Sequence, residues 1–77
     1  MAKTIYDEEY RRLIDAIRDA RKGAGITQQE LADRLGRPQS FVAKIEGYER
    51  RLDVVEFLQV CRALGVDPGA VLTGLGT

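Results

Sequence analysis

The sequence predicts an all-α fold, a bundle of five helices packed as one domain over residues 1–77. Three observations predict it: apolar residues recur at helical spacing, residues that start helices alternate with glycines that stop them, and strand-like alternation and internal repeats are absent. A chain of 77 residues suffices for one small core, with a thin stability margin that a partner subunit would widen.

The first helix is expected to start near Asp7, a good N-cap, with Glu8 and Glu9 in its first turn. Tyr10, Leu13, Ile14 and Ile17 form its inner stripe, and Lys22, Gly23 and Gly25 end it. Thr27 and Glu30 make a capping box for a second helix carrying Leu31, Ala32 and Leu35, which Gly36 stops after about two turns. Pro38 starts a third helix reaching about Glu46, because proline costs nothing where no internal N–H bond is needed. Val42 and Ile45 face inward on it. Asp53 and Glu56 repeat the capping box before Val54, Val55, Phe57, Leu58, Val60, Cys61 and Leu64. This fourth helix is apolar nearly all round and should be the most buried. After Gly65, Asp67 and Pro68 begin a short fifth helix with Val71 and Leu72, and Gly74 to Thr77 reads as a frayed end.

Composition narrows the function. Hydrophobic residues at 44% and charged ones at 31% are those of a soluble domain rather than a disordered tail. With one cysteine, Cys61, and no histidine, neither a disulfide framework nor a zinc site can be built, and no cofactor is expected. Cys61 reads as a small core residue. Ser40 is the only serine, so no nucleophile and base pair is visible, and an enzyme is not expected. No apolar run approaches the roughly 20 residues that span a bilayer, and the start of the chain has no signal-like stretch, which predicts a cytoplasmic protein. Twelve basic and twelve acidic side chains cancel. Their distribution is uneven: Arg34, Arg37, Lys44, Arg50 and Arg51 face only Glu46 and Glu49 between residues 34 and 51, so one basic patch can sit on a neutral molecule.

From Gln28 to Gly47 the order of small and apolar positions is that of a helix-turn-helix: Ala32 where two helices approach, Gly36 at the turn, and Leu31, Leu35, Val42 and Ile45 filling the angle. With Val42 and Ile45 inward, Gln39, Ser40 and Lys44 lie on other faces of the third helix. Gln39 is the best base reader, since an amide both gives and takes a hydrogen bond with adenine N6 and N7. Ser40 and Lys44 follow, the lysine suited to guanine or to phosphate. Arg37, Arg50 and Arg51 flank this helix and can neutralise phosphates. Phe41, beside the readers, is open to two readings: it meets a thymine methyl, or it folds back onto the second helix. Tyr48 is a surface or an interface aromatic.

Ile26-Thr27-Gln28-Gln29-Glu30-Leu31-Ala32, Leu35-Gly36, Ile45-Glu46 and Leu64-Gly65-Val66-Asp67-Pro68 together resemble the phage-repressor (Cro/cI, xenobiotic-response-element) helix-turn-helix family over about residues 13–72. The resemblance implies a lambda-repressor-like bundle with the third helix, about 38–46, in the major groove of double-stranded DNA, and a regulator of transcription. It implies that Gln28, with Thr27 beside it, meets a phosphate at the start of the second helix, and that Arg21 and Glu46 form a salt bridge. Pro38 departs from the pattern, standing where a Ser or Thr often caps the third helix and touches phosphate. The resemblance also implies a homodimer on an inverted-repeat operator, joined through the fifth helix and the preceding loop by Val66, Val71, Leu72 and Leu75. The rival reading is a protein-interaction module, such as an antitoxin-like partner of the same fold, which the neutral net charge permits.

Overall fold

The computed structural model describes residues 3–76, and side chains from Glu8 to Leu75. Five helices follow one another: α1 Lys3–Gly23, α2 Gln28–Leu35, α3 Gln39–Glu46, α4 Val54–Leu64 and α5 Pro68–Gly76, with no strand among the described residues. Ile14 and Ile17 of α1, Leu31 and Ala32 of α2, Val42 and Ile45 of α3, and Phe57, Val60, Cys61 and Leu64 of α4 are buried in one core. Two α-helices of eight residues are too short to persist in water alone, so this shared burial holds them.

The caps sit where the local chemistry asks for them. The Thr27 hydroxyl accepts the Glu30 N–H at 3.1 Å while the Glu30 carboxylate accepts the Thr27 N–H at 2.8 Å. Asp53 and Glu56 repeat this reciprocal pair at 2.7 and 3.1 Å, and Asp67 accepts the Ala70 N–H at 2.9 Å. Pro38 stands one position earlier than expected, as the N-cap of α3 with no side-chain hydrogen bond, and the helix proper begins at Gln39.

Gly36 ends α2 at φ 69°, and the Arg37 N–H donates to the Ala32 carbonyl at 3.0 Å, reversing the chain toward α3. A Cβ built on Gly36 would meet nothing within 4 Å, so substitution there costs backbone strain alone. Gly36→Ala is therefore expected to destabilise the fold by about 1–2 kcal/mol, read as a lowered midpoint in urea with an unchanged slope.

Three expectations are corrected. Asp7 is no N-cap: α1 already runs from Lys3, because no Gly or Pro between Lys3 and Asp7 interrupts it. At the other end Gly74 to Gly76 belong to α5, which docks on α1, and that packing outweighs the weak helix propensity of glycine; Thr77 lies outside the described residues. The fourth helix is buried on one face only. Val54 shares that face with Phe57 and Cys61 by spacing, yet it is 74% exposed and Val55 62%, and the buried residues of α4 begin at Phe57.

Candidate nucleic-acid interface

The inner face of α3 carries Phe41, Val42, Ile45 and Glu46, all buried. Four anchors in eight positions leave one exposed strip, occupied by Gln39, Ser40 and Lys44. These are the three residues assigned to base reading.

Gln39 is also oriented. Arg21 and Glu46, each only 7% exposed, form a two-pronged salt bridge between α1 and the end of α3, with Nε to Oε2 at 2.7 Å and Nη2 to Oε1 at 2.9 Å. The third guanidinium nitrogen donates to the Ile26 carbonyl at 2.8 Å. From Glu46 the hydrogen bonds continue outward: Gln28 Nε2 donates to Glu46 Oε1 at 2.9 Å, and Gln39 Nε2 donates to Gln28 Oε1 at 2.7 Å. A carboxylate only accepts. It therefore dictates that Gln28 turns its nitrogen inward and its oxygen toward Gln39, which in turn must offer its own nitrogen. What Gln39 has left for a ligand is its carbonyl oxygen and one N–H, the pair that matches adenine N6 and N7.

On the other flank of α3 the predicted phosphate residues are already engaged. Glu56 of α4 takes Arg50 in a two-pronged salt bridge, 2.9 Å at each oxygen, and Arg37 at 3.7 Å. Both guanidiniums lie against the ring of Phe41, 4.4 Å for Arg37 and 4.7 Å for Arg50. The Glu56 carboxyl is held at about 2, first by the Arg50 hydrogen bonds and then by the Asp53 N–H, so it stays charged at any working pH. Arg51 sits over the Tyr10 ring at 4.7 Å. The Tyr10 hydroxyl accepts the Leu52 N–H at 3.0 Å and donates to the Arg50 carbonyl at 3.3 Å, fastening the α3–α4 connection to α1.

Of the two readings open for Phe41, the structure has the ring folded into the core. It is 8% exposed and belongs to the same buried core as Leu31, Val42 and Ile45. Its role is to fill the angle between α2 and α3 and to carry the two arginines. Tyr48, expected as a surface or an interface aromatic, packs at the edge of the core. It is half-buried against α1, bonded to Asp15, with Arg11 4.6 Å above its ring, and it holds a positive φ of 63°. Glu56 was legible only as a capping residue; nothing in a six-residue separation across a loop announces its hold on Arg50. Thr27 and Gln28 lie together at the start of α2, Gln28 half-buried through its two amide bonds and Thr27 exposed. No helix among the described residues is long and apolar enough to cross a membrane.

A short helix with a polar, pre-oriented outer strip, seated on a second short helix through a glycine turn, defines the helix-turn-helix class of DNA-binding proteins. A family profile described as helix-turn-helix matches residues 17–71, and the chain belongs to the XRE-type helix-turn-helix family. It is similar to the XRE-family like protein from Pseudomonas syringae pv. tomato, at 57% identity over 97% of this chain and 92% of that one, with a TM-score of 0.94. It is also similar to the clp gene regulator ClgR from Corynebacterium glutamicum (25% identity, 88% of each chain, TM-score 0.80). The restriction-modification controller protein C.AhdI from Aeromonas hydrophila is another such structure (25% identity, 83% of this chain and 97% of that one, TM-score 0.75). Comparison with curated proteins gives no match.

Proposed function

We propose that this chain is a cytoplasmic transcriptional regulator that binds double-stranded DNA sequence-specifically as a homodimer, with α3 in the major groove. The observation that carries the reading is the run of hydrogen bonds from Arg21 through Glu46 and Gln28 to Gln39. Through it a buried charge pair fixes the direction of an exposed amide at the start of α3, which is what a base-reading side chain needs. Gln39 reads an adenine, and Ser40 and Lys44 read or support neighbouring positions. Gln28 and Thr27 meet one phosphate, and Arg37, Arg50 and Arg51 track the backbone beyond the other end of α3. One short helix reads few base pairs, so two copies related by a two-fold axis are needed for useful specificity. Half-exposed Leu72, with Val66, Val71 and Leu75, joins them through α5 and its preceding loop. That similar folds include a clp gene regulator and a restriction-modification controller supports the regulatory part.

Selection of bound sequences from a random duplex pool tests this. The expected product is an inverted repeat with half-sites about 34 Å apart; an unenriched pool would overturn the reading. On that duplex, Gln39→Ala with Lys44→Ala is expected to abolish the specific shift, the Gln39 change alone weakening binding about 5- to 150-fold, the equivalent of about 1–3 kcal/mol. Both side chains are exposed, so the circular dichroism of the variant should match the unaltered chain.

A further inference from the structure

The cluster of Phe41, Arg37, Arg50 and Glu56 has a second consequence for DNA binding, and it rests on the DNA reading above. Two guanidiniums within 5 Å of one ring, at the edge of the recognition helix, share a single carboxylate. Their side chains remain 43% and 38% exposed, against 12% for Glu56. Left alone, two long cationic side chains would reach a phosphate on any sequence, since backbone neutralisation carries no base information. Glu56 removes one of the two positive charges from that edge and holds Arg50 by both oxygens, so that one geometry replaces many. We infer that Glu56 is a specificity-setting residue, acting through Arg50 and Arg37 to suppress binding to non-cognate DNA while leaving the arginines pre-positioned for the cognate backbone.

The argument is one of differential binding. Non-specific affinity is almost wholly electrostatic, so it gains the full effect of an added charge. A cognate complex already uses the ordered arginines, and releasing them adds charge but removes order. Glu56→Gln is the suitable change because an amide oxygen can still accept the Asp53 N–H that starts α4.

Affinities would be measured against the selected duplex and a random-sequence duplex of equal length, across a salt series. Glu56→Gln is expected to raise affinity for the random duplex roughly 3- to 10-fold at low salt and to steepen its dependence on log salt by about one unit. Affinity for the selected duplex should rise less than about twofold, so the ratio of the two falls. Exposed Glu49→Gln, in the connection just before α4, makes the same change in net charge and should leave the ratio unaltered. In an Arg50→Gln background the Glu56→Gln effect should shrink, and this neutral pair also serves where the single variant is less stable. An unchanged or increased ratio, or an equal effect from Glu49→Gln, overturns the inference alone. Failure of the unaltered chain to bind either duplex overturns the DNA reading and this inference with it.

Discussion

Arg21→Met is expected to lower the stability of the fold by about 3–5 kcal/mol, a large part of the margin of a domain this small. The residue closes a buried ion pair, with both partners 7% exposed, and supplies three hydrogen bonds of 2.7 to 2.9 Å, two to Glu46 and one to the Ile26 carbonyl. Methionine keeps the volume and removes the charge. Glu46 would then be a carboxylate under the core with only the Gln28 amide facing it, and an uncompensated buried charge is far worse than no charge. Urea titration reads the loss directly; a change under about 1 kcal/mol would mean the pair is dispensable.

The double change Arg21→Met with Glu46→Leu separates two roles that a single substitution confounds. Apolar residues of similar volume often replace a buried ion pair at no net cost, so much of the lost stability should return. Binding should not. Without the carboxylate nothing dictates which way the Gln28 amide turns, and Gln39 loses the neighbour that orients its own. A variant that folds as well as the unaltered chain yet reads the operator poorly is the expected signature. Recovery of both would reduce the hydrogen-bonded run to a structural brace.

How far these features could be read from the chain follows their range. Thr27 with Glu30, Asp53 with Glu56, and Gly36 at its turn are relations of a few residues, set by backbone chemistry that every helix end shares, and they stand where the sequence puts them. The outward strip of Gln39, Ser40 and Lys44 follows in the same way, since burying Val42 and Ile45 leaves those positions facing out. Propensity failed where packing decides: α1 runs through Asp7 and α5 through Gly74, and Val54 and Val55 stay exposed despite their pattern. The contacts that orient the site link residues far apart in the chain. Arg21 to Glu46 was available through the family resemblance, while Gln28 to Gln39, Tyr10 to Leu52 and Arg50 to Glu56 depend on helices already being placed.

Phe41→Ala is expected to cost about 3–5 kcal/mol, the range for removing a buried aromatic ring. The ring lines a gap of only about 10 Å³ together with Ile17, Leu31, Leu35, Val42, Ile45, Leu52 and Val60, so its removal would open a cavity among them. Phe41→Leu keeps most of the volume and should cost less than about 1.5 kcal/mol, leaving a folded chain whose DNA binding can be measured. Because leucine has no ring face, it also removes the ring contact that Arg37 and Arg50 share, an attraction of about 0.5–1 kcal/mol each at exposed sites, and leaves Glu56 alone to hold them. Binding should weaken by a similar factor on every sequence, with the base preferences intact, because those arginines address phosphates. A lost preference for thymine at one position would instead restore the ring to the groove, and the side chain would have to leave the core on binding.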